Sequence, residues 1–242
     1  MFLLNDKNKE QSCQLMKKVW CSADAIPQLQ KCSTAILIVE GKAYSFKCSD
    51  EEVNVEEIFS LCSNQEESDT RFILYVAYAK LLVFESVVVR SPDIDVFFIL
   101  LYHSNYIDIT IYLDTGTGKK RILINVSEMA KELGVVWCMV LLAIYVFTGE
   151  DCVSAFKGKG KVTSLKKLMK NPKFHDAFGK LGDEWTVPDD IINKLEMFVC
   201  LMYGYGRETS ANTVRAKMLE KMVGDDDGLT SKSKVDLSRL PP

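Results

Sequence analysis

The stretch 91-SPDIDVFFIL-100 sets two carboxylates, Asp93 and Asp95, directly in front of an apolar run. A charge beside a buried segment is costly unless something offsets it. One reading is a turn that uses Asp for its backbone geometry. The other is a metal or phosphate site at the end of a strand. Just upstream, 86-SVVVR-90 has the composition of a short buried strand, and Pro92 pushes Ser91 toward an extended conformation. Downstream, 96-VFFILLYH-103 is too apolar for periodicity to separate strand from helix. In open α/β sheets, ligands and catalytic groups collect outside the carboxyl ends of strands, which is where Asp93 and Asp95 fall.

Working outward, 7-KNKEQSCQLMKKVWC-21 reads as a polar helix. The runs 34-TAILIV-39 and 43-AYSF-46 flank Glu40-Gly41-Lys42 as a hairpin. An acidic stretch, 50-DEEVNVEEIF-59, leads into 64-NQEESDT-70, a helix start with polar caps and early acids, and that helix continues through 71–84. Strands are expected at 108–114 and 121–126, separated by 115-TGTGKK-120, with helices starting at Ser127 and spanning 135–147. Four further helices are expected, at 164–170, 173–180, 188–203 and 208–222. Residues 224–242 contain few large apolar side chains, a composition that favours disorder. Strands alternating with helices, then a helical end, predict an α/β fold with a parallel-rich sheet.

The bulk composition excludes several classes. The 242 residues are 48% hydrophobic and 26% charged, enough apolar material for a substantial core. A formal net charge of −3 gives no global nucleic-acid signature, so any basic surface must be local. None of the eight cysteines forms a CxxC pair, which argues against a zinc site. No secretory leader is evident, since MFLL is followed at once by Asn5 and Asp6. An intracellular protein, nuclear or cytoplasmic, with reduced thiols is expected. The longest apolar run, 135–147, falls short of the roughly 20 residues a bilayer requires, so no membrane association is expected.

Three further acids join the candidate site. Glu67 and Asp69 sit at the expected helix start, and Asp151 follows the apolar 135–147 segment. Should these ends meet, five carboxylates converge, and like charges so packed raise each other's pKa unless cations intervene. Mg²⁺ or Mn²⁺ would resolve this through oxygen ligands. A pair of such ions can stabilise the attacking and leaving oxygens of a phosphodiester displacement. Seven lysines lie between Lys157 and Lys173, and no acid interrupts the chain between Asp151 and Asp176. Gly158-Lys159-Gly160-Lys161 forms the centre of this region: glycines let backbone approach a phosphate, and lysines attract nucleic-acid backbone. By contrast, 115-TGTGKK-120 lacks the GxxxxGK[ST] pattern and reads as a turn between strands, while His103 and His175 have no evident partners and read as structural.

The order 67-ESDT-70, 91-SPDIDV-96 and 148-TGEDCVSAFKGKGK-161 resembles the internal region of the flap-endonuclease/XPG nucleases, members of the PIN-like fold. It is closer still to a group of animal proteins found in mobile-element-like settings. The resemblance covers roughly residues 5–222. It implies a three-layer PIN-like α/β core with a helical C-terminal extension: residues 1–151 as an incomplete core, 152–222 as a helix–hairpin–helix and helical extension, and 223–242 as a disordered tail. It implies that Glu67, Asp69, Asp93, Asp95 and Asp151 hold Mg²⁺ or Mn²⁺, with Asp93, Asp95 and Asp151 catalytic. Gly158, Lys159, Gly160 and Lys161 then match the hairpin that holds the DNA or RNA backbone. The family's N-terminal strand, with its metal-binding acid, has no counterpart here, so the resemblance implies an absent N-terminal part and puts activity in doubt. The alternative is a non-catalytic nucleic-acid-binding or interaction module derived from a mobile element.

Overall fold

Helix α1 (Asp6–Trp20) begins where the Asn5 side chain accepts a hydrogen bond from the Lys7 amide at 3.0 Å. It is the first element of the computed structural model, which describes residues 5–49, 51–65, 68–150, 153–224 and 236–242. The chain divides into two units, Met1–Val89 and Arg90–Pro242. The division falls inside the 1–151 segment expected from sequence.

The N-terminal unit is built on an antiparallel meander, β1 (Ala35–Val39), β2 (Lys42–Cys48) and β3 (Val53–Glu57). Glu40 and Gly41 form the two-residue turn between β1 and β2, both at positive φ (52° and 78°), which matches the right-handed twist of the flanking strands. Gly41 has a further constraint: a Cβ there would lie 2.4 Å from the Ser63 carbonyl oxygen. A small core gathers under the sheet. Phe46 meets the Trp20 ring edge-to-face at 5.3 Å, with Ala25 and with Leu29 of the short helix α2 (Ile26–Leu29) beside it. Strand β3 lies in the acidic stretch that sequence treats as the approach to a helix. Four of its five residues are polar or exposed, and its apolar face is only Val53 and Val55, too short to announce it. Helix α3 (Ser68–Leu81) follows.

Strand β4 (Ser86–Arg90) spans the boundary between the units and belongs to a second sheet of order β4-β5-β6, with β5 at Thr110–Thr115 and β6 at Ile122–Asn125. The molecule is thus mixed α/β with two small sheets. The pairings β1–β2, β2–β3 and β5–β6 are all antiparallel. These three hairpins depart from the parallel-rich sheet expected from sequence, because short connections can join only antiparallel neighbours. Residues 116–121 form the β5–β6 turn, where sequence places a turn at 115–120. Gly116 at φ +74° admits no side chain, because a Cβ would lie 2.3 Å from the Lys120 carbonyl oxygen.

The ambiguous run after the acids is helix α4 (Ile94–His103), with Val96, Leu100 and Leu101 buried. It packs against α5 (Val126–Leu133) and α6 (Val135–Phe147). Gly134 at φ +77° separates α5 from α6, which are bent by 106°. Among the described residues no single helix is long and apolar enough to cross a membrane. Helices α7 (Lys161–Met169), α8 (His175–Gly179), α9 (Asp189–Met202) and α10 (Ala211–Gly224) complete the unit. Their shared core is aromatic, with Phe178 and Phe198 edge-to-face at 5.0 Å and Phe147 and Phe174 beside them. His175 belongs to this framework: its Nε2 lies 3.0 Å from the Leu168 carbonyl and its ring packs on Trp137. Trp185, by contrast, is fully exposed.

Residues 236–242 fall in the segment expected to be disordered, yet they are held in place. Tyr203 donates to the Leu240 carbonyl at 3.3 Å, and Arg215 Nε donates to that of Pro241 at 2.8 Å. Pro241 is buried. Composition points to disorder because the anchors come from distant helices.

Candidate metal centre

The turn into α4 is built by its own side chains. Asp93 is the N-cap: its Oδ1 accepts the Asp95 amide at 3.1 Å, satisfying a helix-end donor. The Asp93 amide in turn donates to Ser91 Oγ at 3.1 Å, and the Ser91 amide donates to the Asp114 carbonyl of β5 at 3.2 Å. Ser91 is buried, so the acids stand on a fixed pedestal at the end of β4. Arg90 reinforces this position by donating to the Asp114 carbonyl at 2.8 Å and the Gly116 carbonyl at 2.7 Å. The Asp114 carboxylate accepts Arg121 Nε at 2.8 Å, and this bond holds its pKa below the ordinary range despite burial. Asp114 therefore serves the arginines and is not a candidate ligand.

Asp95 lies in the first turn of α4, and its Oδ1 accepts a hydrogen bond from the Tyr145 hydroxyl of α6. The Tyr145 ring stacks on Phe98 at 4.2 Å. Burial, and then the Asp95 bond, push the phenol well above its usual pKa, so it stays protonated and remains a donor. On the other face of the ring, Lys161 Nζ lies 3.6 Å from the centroid, donating to the carbonyls of Tyr145 (2.7 Å) and Gly149. Burial lowers the Lys161 pKa, against the pull of Asp95 and Glu150. An acid, a phenol and an ammonium thus form one row. Gly149 shapes the backbone that meets Lys161: φ is +111°, and a Cβ would lie 2.6 Å from Ala155 Cα.

The predicted residues divide accordingly. Asp93 and Asp95 are brought together on one helix turn. Asp69 lies in the first turn of α3 in the N-terminal unit, accepting from Ser68 Oγ at 3.3 Å. Glu67 and Asp151 lie outside the described residues. Gly158 takes φ +74°, and Gly160 is the N-cap of α7 without a side-chain cap. Lys159 rests over the Tyr203 ring at 4.5 Å. The Lys161 ammonium, expected from sequence to meet a phosphate, donates to two carbonyls and lies over an aromatic face in this structure. Sequence reasoning missed Tyr145, though one signal was present. It is the only hydroxyl in the otherwise apolar helix 135–147, and a buried hydroxyl needs a partner.

The donor set suits a hard cation. Each carboxylate offers about four lone-pair sites, so the cap on Asp93 and the phenol on Asp95 leave acceptor capacity on both. No family model, curated protein or solved structure matches this chain.

Proposed function

We propose that the chain is a divalent-metal-dependent, structure-specific nuclease-like protein on a three-layer PIN-like core, acting on the phosphodiester backbone of DNA or RNA. The reading is supported by the Asp93–Asp95 pair on the first turn of α4, backed by a protonated Tyr145. Asp93 and Asp95 are the proposed ligands within the C-terminal unit, and Glu67, Asp69 and Asp151 are proposed as ligands from the family resemblance alone. Bound Mg²⁺ or Mn²⁺ would supply an activated water and neutralise charge on the phosphate. Asp93 and Asp95 present oxygen ligands from a rigid helix turn. Tyr145 positions Asp95 through its hydroxyl, and Lys161 positions Tyr145 from the opposite face of the ring. Lys159 and the glycines at 158 and 160 are the proposed backbone contacts.

A second reading is a non-catalytic nucleic-acid-binding module of mobile-element origin. It is favoured by the bond from Tyr145 to Asp95 and by the nearby Lys161 charge, which together satisfy that acid without a cation. A Mg²⁺/Mn²⁺-dependent cleavage assay on flap, hairpin and single-stranded substrates, with wild type and Asp93→Ala side by side, decides between them. Metal-dependent cleavage lost in the variant is the expected result. Equal activity in both proteins, or none in wild type, sinks the nuclease reading.

A further inference from the structure

The turn that follows the candidate metal centre is already covered by an anionic segment of the same chain. Lys157 Nζ donates to Asp236 Oδ2 at 2.8 Å and to Ser238 Oγ at 2.6 Å. Asp236 Oδ1 accepts the Ser238 amide at 3.2 Å, and Arg239 Nε lies 3.4 Å from Oδ2. The carboxylate with its adjoining hydroxyl therefore forms a compact oxygen cluster, the kind of acceptor set that a phosphodiester offers to a lysine. Two further anchors seat the segment. Tyr203 donates to Leu240, and the same ring carries Lys159 on its face. Arg215 donates to Pro241. The surface beneath residues 236–242 thus holds Lys157, Lys159, Arg215 and a phenol hydroxyl.

We propose that Lys157, Lys159, Tyr203 and Arg215 form a phosphate-backbone site for nucleic acid, and that Asp236–Pro242 is a strap that occupies it as an internal phosphate mimic. The inference rests on the nucleic-acid reading above and adds its regulation. The acidic end of the strap is the weaker one. The Lys157 and Asp236 side chains are 54% and 40% exposed, and ion pairs so open to water hold weakly. A duplex presents a continuous row of phosphates and gains from releasing counterions, so it can displace a single carboxylate. The Leu240-Pro241 end is fixed by backbone acceptors and a buried ring, so release of Asp236 need not detach the whole strap.

The test is fluorescence anisotropy with a short fluorescein-labelled DNA duplex and a single-stranded RNA, in EDTA so that no metal chemistry intervenes. Full-length protein is compared with a chain ending at residue 235 and with Asp236→Ala/Ser238→Ala, which keeps the Leu-Pro-Pro anchor. Both variants are expected to bind at least one of the probes about five-fold tighter. The slope of log K against log salt should steepen by about 1, for the one lysine released. Lys157→Ala in either background should reverse the gain. Glu132→Ala, which removes one exposed acid from α5, should not reproduce it. Equal affinities across all three proteins, including no binding by any of them, overturn the strap. Cleavage with Mn²⁺ is scored separately, so a strap that competes in a chain that never cleaves sinks only the nuclease reading.

Discussion

Two charged turns of the C-terminal unit each lead into a helix and differ in what holds them. In the turn 91–95 the backbone is held locally, with Ser91 Oγ accepting the Asp93 amide and Asp93 Oδ1 accepting the Asp95 amide, while the distant Tyr145 hydroxyl donates to Asp95. The turn 156–161 is satisfied from far away, by Tyr145 and Gly149 for Lys161 and by Asp236 and Ser238 for Lys157. The lesson is that a charged residue's role depends on who reaches it first. At the acids the local partners leave oxygen capacity for a ligand. At the lysines the distant partners take one cation inward and cover another.

The largest way to break this contrast lies at the acids. Asp93→Ala and Asp95→Ala should each lower metal-dependent cleavage on the order of a hundredfold. Undiminished cleavage in either variant would show that the acids are caps only. Gly149→Ala tests the covered turn: with φ at +111° and Ala155 Cα in the way, the variant should lose about 2 kcal/mol or more in urea unfolding. Lys161→Met should lose about 1–3 kcal/mol, because two carbonyls lose their donor. Its affinity for nucleic acid should stay unchanged, and a fall in affinity with intact stability would restore the phosphate role to Lys161. Tyr145→Phe sharpens the link between the two turns. Mn²⁺ affinity, measured by titration calorimetry, should fall about tenfold if the phenol positions Asp95, and not at all if Asp95 is merely satisfied.

The smallest effect is in pH. Hydrogen bonds from Lys157, then Ser238, hold Asp236 at about 2, below its ordinary value of 3.8. A carboxylate with a depressed folded pKa contributes above its free value and loses that contribution as pH falls through the folded one. The strap contact should therefore be intact at neutral pH and fade between about 4 and 2, read from the Ser238 amide resonance.

Much of the fold is legible wherever partners are close in sequence. The helix 135–147, the Glu40-Gly41 turn and the β5–β6 turn follow from apolar length and glycine placement. Asp93 and Asp95 are found because a proline and two acids sit beside a strand. Legibility fails in two ways. Strand β3 has only two valines on its apolar face amid acids, and α4 is apolar almost all round, so neither shows a decisive period. Tyr145 lies 50 positions beyond Asp95, and Asp236 lies 79 beyond Lys157, and no local pattern encodes either meeting.

The three tryptophans have a practical consequence. Trp20 is wedged against Phe46 in the N-terminal unit, Trp137 lies on His175 in the C-terminal unit, and Trp185 stands in water. With Trp185 replaced by Phe, the two remaining indoles become separate emission probes. A blue-shifted spectrum that reddens in two steps on denaturation would assign a distinct melting transition to each unit, with no dye attached to the chain.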